Sequence, residues 1–303
     1  MKNWNAHKGL AALGLMFLIY AQGAMVVRAE DTVRLRLLGG RLPVVPVRID
    51  DQGPFDFLID TGTNSTLVTP ELAARLRLRP ADRVTLITVA GECDVPRARL
   101  RRVEVGGNIS TDVEALVSGL QQLRRLDPRV SGVLGQNFLE QFNYTLDYDG
   151  RAINFEGGGG VPPEGERVPF ALEEGKLIVS AFPGPPVARM WRLVLDAAAD
   201  GLVIFDDPPG ALALALRAQG ASLLLTEAGS GETRSARLRS LQVGGSRLED
   251  VPVALLRGVA GRAARGEDGL LPTSLFRAIY FNHTGGYVIF NPKRGRAGRG
   301  CRR

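Results

Sequence analysis

The stretch FLIDTGTNSTLV, residues 57–68, decides how this chain is interpreted. An apolar run ends in an acid, Asp60, and Thr61 and Gly62 follow at once before a second apolar run begins. Short apolar runs bounded by turn residues are typical of buried strands. The pattern therefore predicts a carboxyl group at the end of a buried strand, held in a tight turn where glycine permits close approach of other atoms.

The same outline occurs a second time in the chain. Residues 193–205 read LVLDAAADGLVIF, in which Asp196 takes the place of Asp60. Three further segment pairs follow in the same order and at nearly the same spacing: VGG at 105–107 and 243–245, GVLG at 132–135 and GLLP at 269–272, AINF at 152–155 and YVIF at 287–290. One long repeat indicates two copies of a single structural unit, because a solenoid would need more and shorter copies.

Most of the chain after residue 30 predicts strands. Short runs of Val, Leu, Ile and Phe are broken by Gly, Pro and charged residues, which is typical of a mainly β protein. Two short helices are expected at matching places in the repeat, one opening at Thr69 and running to Leu78, the other opening at Asp207 and running through Ala211 to Ala218.

One strand-end aspartate in each copy predicts a pair. If the two copies face each other, Asp60 and Asp196 meet, and two adjacent carboxyl groups share a proton because they cannot both ionise easily. The ionised group can accept a proton from water while the neutral group donates one to a carbonyl oxygen. No metal or cofactor is predicted, since His7, His283 and the two cysteines form no cluster with ligand spacing.

These features together resemble the aspartic peptidases, and in detail the bacterial pepsin-like or retropepsin-like proteins. The resemblance rests on LIDTGT at 58–63, GVLG at 132–135 and the duplication, and it spans nearly the whole chain after the first 30 residues. It implies a mainly β, bilobal acid-protease fold, with two related β-barrel-like lobes and an active-site cleft between them. It also implies a peptide or unfolded-protein substrate.

The resemblance implies a role for each residue that matches the motif. Asp60 and Asp196 would be the catalytic carboxyl groups. Thr61 would hydrogen-bond to the backbone of the opposite loop, and Gly62 would let backbone amides approach the carboxylate. The Thr63 hydroxyl would bond an outer oxygen of Asp60.

A hairpin-like stretch lies where the family has its flap, a mobile lid over the substrate. Thr88 and Gly91 belong to it, and no tyrosine is present there.

The second copy departs from the motif. Asp196 is followed by Ala197, Ala198 and Ala199, so both hydroxyl groups are missing, and a positive φ at Ala198 would be strained. Two functions stay open: an exported aspartic endopeptidase that uses both acids, or a catalytically impaired pepsin-like module that binds peptides or a protein. A homodimer that pairs two Asp60 residues is disfavoured, because each chain already carries a second lobe.

The first residues predict export. Lys2 and Lys8 precede an apolar run that ends near Val27 and is followed by small residues, which is typical of a cleaved signal peptide. An uncleaved membrane anchor is the alternative. Cleavage would leave a periplasmic or secreted protein without a membrane span.

The predicted organisation has five parts. A signal peptide occupies 1–29, an N-terminal lobe 30–156, a Gly/Pro linker 157–167, a C-terminal lobe 168–292 and a basic disordered tail 293–303. Nine of the 38 basic residues lie in the signal and tail, which leaves 29 against 32 acidic residues. The body is therefore slightly acidic, which argues against nucleic-acid binding. A bilobal chain can work as a monomer.

Overall fold

The computed structural model describes residues 32–88, 91–157, 161–185, 187, 189–205, 216–226, 229–256 and 266–292. The predicted signal peptide, the basic tail, the tip of the predicted flap and residues 206–215, which hold most of the predicted second helix, lie outside the described residues. The last residues of that predicted helix, up to Ala218, belong instead to a strand, Leu216–Thr226, because they pair with the strand Gly229–Val243; this part of the prediction is wrong. The lobe boundaries at 156 and 168 stay predictions. No helix in the described ranges is both long enough and apolar enough to cross a membrane.

The chain is mainly β, as the sequence predicts. The first half contains these strands and short helices: β1 (Thr32–Arg34), β2 (Arg36–Leu38), β3 (Leu42–Ile49), β4 (Gln52–Ile59), β5 (Thr66–Val68), α1 (Pro70–Arg75), β6 (Asp82–Thr88), β7 (Gly91–Val105), β8 (Asn108–Val117), α2 (Gln121–Leu126), β9 (Val130–Leu134), α3 (Gln136–Leu139), β10 (Tyr144–Asp147) and β11 (Ala152–Phe155).

The second half contains the following strands: β12 (Val168–Pro169), β13 (Ala171–Glu173), β14 (Lys176–Ala181), β15 (Trp191–Asp196), β16 (Leu202–Phe205), β17 (Leu216–Thr226), β18 (Gly229–Val243), β19 (Ser246–Leu256), β20 (Gly269–Pro272), β21 (Ala278–Asn282) and β22 (Tyr287–Phe290). A short 3-10 helix, Thr273–Leu275, follows β20.

The two halves repeat one sheet topology. The first forms an eight-stranded sheet in the order β2-β3-β4-β9-β5-β8-β7-β6, and the second one in the order β13-β14-β15-β20-β16-β19-β18-β17. The central pairs β4–β9 and β15–β20 are both parallel. An additional pairing of β3 with β7 curls the first sheet, and a bridge between Phe182 and Gln242 makes the corresponding contact in the second. The predicted duplication and the mainly β, bilobal fold class are therefore confirmed.

A six-stranded sheet joins the two halves. Its order is β1-β11-β10-β21-β22-β12, so β10 of the first half pairs with β21 of the second. Tyr144 of β10 stacks on Phe281 of β21 with 4.8 Å between ring centroids. One hydrophobic core cluster contains buried residues from both halves. The two lobes are therefore bonded through a shared sheet and core.

The predicted helix at Thr69 is present but shorter than expected. The Thr69 side chain accepts a hydrogen bond from the backbone of Leu72, and Pro70 occupies the first turn, so the start is as predicted. The helix ends at Arg75 instead of Leu78, because Arg77 adopts a left-handed conformation with φ of 54° that cannot continue a helix.

Candidate active site

Asp60 lies directly after β4, at the end of the parallel β4–β9 pair. Its backbone N–H donates to Leu134 O at 3.0 Å, which continues the strand pairing into the loop. Gly62 N–H donates to Asp60 Oδ1 at 2.8 Å, and the backbone amide of Thr63 also lowers the pKa of the carboxyl group. Two amides of the Asp60 loop therefore surround its carboxyl group.

Asp196 occupies the same position in the second lobe, at the end of β15 beside β20. Its Oδ1 accepts hydrogen bonds from Ala198 N–H at 2.8 Å and Ala199 N–H at 3.0 Å. The two loops thus surround their carboxyl groups in the same way. Because the donors are backbone amides, the alanines supply them as well as threonine and glycine would.

The structure brings the two carboxyl groups together. A Cβ added to Gly62 would lie 2.8 Å from Cγ and Oδ2 of Asp196, so the Asp196 carboxyl group rests against the glycine of the Asp60 loop. Glycine is required here by this close approach, and no positive φ is involved. The site therefore contains one acid from each lobe.

Burial and proximity change the acidity of both groups. Burial, and then the negative charge of Asp196, raise the pKa of Asp60 well above its usual range, against the lowering effect of the two loop amides. Burial raises the pKa of Asp196 to about 6, again against the effect of its loop amides. Such a pair holds a proton at pH values where isolated carboxyl groups have lost theirs.

Thr61 connects the two loops. Its hydroxyl donates to Leu195 O at 2.8 Å and accepts from Ala197 N–H at 3.0 Å, and its side chain is fully buried. One hydroxyl therefore satisfies two backbone groups of the opposite loop. Ala197 has no hydroxyl with which to reciprocate, so the connection is asymmetric.

The structure corrects the expected contact of Thr63. Its hydroxyl accepts from Ser65 N–H at 3.4 Å, and among the described residues it forms no bond to the Asp60 carboxyl group. The influence of Thr63 on the Asp60 carboxyl group comes from its backbone amide, which lowers the pKa of that group.

The strain considered for Ala198 does not occur. Ala198 is not among the residues with positive φ, and it packs against a first-lobe core cluster that includes Leu42 and Leu58.

The loop around Asp60 rests on the GVLG segment. A Cβ on Gly135 would lie 2.3 Å from Ser65 O, so only glycine permits this approach. The next residue, Gln136, is fully buried, and its side-chain amide donates to Thr61 O at 3.0 Å. Gln136 was not predicted as a site residue, although its position directly after GVLG is a usable signal.

A second contact missed by the sequence analysis lies on the Asp196 side. The buried hydroxyls of Tyr148 and Thr273 are hydrogen-bonded to each other, and Thr273 directly follows β20. The two residues are 125 positions apart in sequence, so only the tertiary structure reveals the contact.

The candidate flap is the β6–β7 hairpin. Thr88 and Gly91 form its last described pair, and the Thr88 hydroxyl donates to Gly91 O at 3.0 Å. Ile87, one residue before this pair, is 61% exposed and is one of six exposed large apolar side chains among the described residues. The hairpin therefore presents an apolar group near its tip.

Two other features lie away from the aspartates. A groove of about 850 Å³ on the first lobe is lined by several arginines, among them Arg75, Arg77 and Arg97. Neither Asp60 nor Asp196 borders this groove. Within the described ranges, no group of three or more His, Cys, Asp or Glu side chains could hold a metal ion.

Residues 45–138 match a family model described as "Aspartyl protease". The matched segment includes β4, the Asp60 loop and the GVLG segment beneath it. This segment is similar to an aspartyl protease domain. The match ends before the second lobe, so Asp196 enters the site on the strength of the repeated topology and its contacts. No curated protein matches the chain at a significant level.

Proposed function

We propose that this protein is an exported aspartic endopeptidase that hydrolyses peptide bonds by general acid–base activation of water between Asp60 and Asp196. The observation that carries the proposal is the contact of the Asp196 carboxyl group with the Asp60 loop at Gly62, in a buried setting that raises the pKa of both acids. A shared proton between two carboxyl groups is the established arrangement of aspartic proteases as a class.

The chemistry follows from the shared proton. The ionised carboxyl group accepts a proton from a water molecule, which attacks the peptide carbonyl carbon. The protonated carboxyl group donates to the carbonyl oxygen as negative charge develops there. The loop amides bonded to each acid fix its orientation before substrate arrives, which avoids reorganisation during the reaction.

The pH dependence of hydrolysis follows from the same groups. One acid must stay protonated, so activity is expected at acidic and mildly acidic pH. The negative charge of Asp196 raises the pKa of Asp60, so Asp196 ionises first and Asp60 keeps the shared proton. Activity should therefore fall once the pH rises far enough to remove that proton from Asp60.

The substrate in this proposal is an extended peptide or an unfolded protein segment. Bound between the lobes, it would gain main-chain hydrogen bonds in the manner of an added strand. The exposed Ile87 near the flap tip would cover an apolar side chain of the bound peptide. A monomer suffices, since both acids come from one chain and the six-stranded sheet joins its halves.

A second candidate function is favoured by the loop after Asp196. Ala197, Ala198 and Ala199 provide no hydroxyl, and among the described residues the hydrogen bonds between the two loops all involve the Thr61 hydroxyl. A misoriented acid can cost far more in rate than in stability. The alternative is therefore a pepsin-like module that binds peptides and hydrolyses them poorly. We favour the endopeptidase because the backbone amides around Asp196 are retained.

The deciding experiment is proteolysis of a complex peptide mixture by the purified protein at pH 3 to 7, read by mass spectrometry. Asp60→Asn and Asp196→Asn should each abolish cleavage, as should a statine-type inhibitor. Asp200→Asn is the matched control, because Asp200 lies in the same loop as Asp196 but is exposed, and it should cleave normally.

Two outcomes would contradict the proposal. Cleavage that survives Asp196→Asn would remove the second acid from the mechanism. Absence of cleavage by folded protein, together with saturable peptide binding, would favour the impaired module.

The proposed export has its own test. The mature N-terminus, sequenced from cells that produce the full chain, should lie near residue 30 and be found outside the cytoplasmic membrane. A protein that keeps Met1 and stays in the membrane fraction would favour the uncleaved anchor.

A further inference from the structure

The candidate dyad is supported differently on its two sides. On the Asp60 side, Gln136 follows GVLG and its side-chain amide bonds the loop carbonyl of Thr61. On the Asp196 side, the residue that follows GLLP is Thr273, whose hydroxyl bonds Tyr148 from the other half of the chain. The equivalent positions of the repeat therefore use different partners.

Thr273 is well placed to affect Asp196. In the parallel β15–β20 pair, the partner of Asp196 is Pro272, and Thr273 comes next. Both Thr273 and Tyr148 are buried, and their hydroxyls are hydrogen-bonded to each other. A bond that holds Thr273 therefore holds the end of the strand beside Asp196.

The backbone of Tyr148 is fixed by a hydrogen bond at one end of the sheet that joins the lobes. It directly follows β10 in the sheet that joins the lobes, and its backbone N–H donates to Arg277 O at 2.9 Å. Burial, and to a lesser extent the charge of Asp196, raise the pKa of its phenol, so the hydroxyl stays protonated. Within the described ranges, Asp60 and Tyr148 are the titratable groups whose ionisation is linked to the Asp196 charge.

The corresponding pair on the other side is not bonded. The match of residues 152–155 with 287–290 makes His283 the counterpart of Tyr148, as Gln136 is the counterpart of Thr273. Among the described residues, Gln136 Oε1 and His283 Nε2 are both buried without a hydrogen-bond partner. The Tyr148–Thr273 bond is thus specific to the side whose loop has lost its hydroxyls.

We propose that Tyr148 is a positioning residue for Asp196, acting through Thr273 and replacing the orienting contacts that Ala197 and Ala199 cannot provide. An effect of Tyr148 on catalysis rests on the proposed function. An effect of the Tyr148 hydroxyl on the environment of Asp196 can be tested without any hydrolysis.

The first test is the titration of Asp196 by NMR of protein labelled with ¹³C at the aspartate carboxyl carbons, with the signal assigned by Asp196→Asn. Tyr148→Phe removes one hydroxyl and keeps the ring, and we expect the Asp196 midpoint to rise by about half a pH unit or more as a polar neighbour is lost. Tyr144→Phe is the matched control, because Tyr144 is equally buried and its hydroxyl has no partner among the described residues. It should leave the midpoint unchanged.

The second test is kinetic. Tyr148→Phe should lower kcat by about tenfold with KM changed by less than about twofold, and shift the acidic limb of the pH profile, on which Asp196 ionises. Thr273→Val should act like Tyr148→Phe, the double variant should be no worse than either, and Thr273→Ser should keep wild-type behaviour.

Each outcome decides the inference. An unchanged Asp196 midpoint in folded Tyr148→Phe and Thr273→Val would overturn it, whatever the protein does to peptides. Failure of both variants to fold would assign the contact to the fold and would also overturn the positioning role. If the wild type cleaves no peptide, the proposed function fails while the NMR titration still tests Tyr148.

Discussion

Thr61→Val tests the connection between the two lobes. Valine keeps the shape of threonine and removes the hydroxyl that donates to Leu195 O and accepts from Ala197 N–H. A buried polar group left without a partner costs about 1–3 kcal/mol, so two such groups should lower the free energy of unfolding by about 2–6 kcal/mol. The buried side chain of Trp191, on the strand that leads to Asp196, provides a fluorescence signal for urea unfolding.

The control for this experiment lies two residues away. Thr63→Val removes a hydroxyl whose described contact is a 3.4 Å bond to Ser65 N–H, and it should cost less than about 1 kcal/mol. The reasoning would be refuted if Thr61→Val lowered the free energy of unfolding by less than about 1 kcal/mol, or by no more than Thr63→Val.

Three further variants test the acids, the close approach and a buried base. Asp60→Asn should raise the free energy of unfolding more at pH 7 than at pH 4. The raised pKa of Asp60 makes the wild type lose stability as the pH rises, and asparagine does not ionise. Equal effects at both pH values would contradict this. Gly62→Ala should lower kcat by at least about tenfold, since its Cβ would lie 2.8 Å from the Asp196 carboxyl group. The control Ala198→Gly should keep most activity. Similar rates for the two variants would exclude a steric requirement for glycine at position 62. Burial lowers the pKa of His283 to about 4, so the wild type should lose up to about 3 kcal/mol as the pH falls from 6.5 to 4. In urea unfolding, His283→Phe should lack this loss of unfolding free energy between pH 6.5 and 4. A variant whose stability falls with pH as steeply as that of the wild type would argue against a buried neutral imidazole.

The fold and the pair of acids could be predicted from the sequence because the signals are local and repeated. Buried strands are recorded in short apolar runs, and the recurrence of the strand-end acid at Asp196 indicates which segments face each other. The cap at Thr69 was likewise local, and its prediction is confirmed. The catalytic roles of the acids stay predictions.

The missed contacts are those set by tertiary packing. The Tyr148–Thr273 bond joins residues that no local pattern relates, and it depends on how β10 meets the end of β20. The misassigned Thr63 contact has a different cause, because the choice between a backbone amide and a side-chain hydroxyl depends on the path of the loop. The sequence specifies which hydrogen-bond donors are available, and the path of the backbone determines which of them reach the carboxyl group.

The backbone amides at Asp196 have a consequence for how such sites change over time. Every non-proline residue carries the same N–H group, so substitutions at Ala198 and Ala199 can alter the side chains and leave these donors in place. A loop whose acid is bonded by backbone amides tolerates amino-acid substitutions as long as its backbone keeps the same turn conformation. Searches that require the intact Asp-Thr-Gly signature in both lobes would pass over it, whereas searches for an acid at the end of the inner strand would find it.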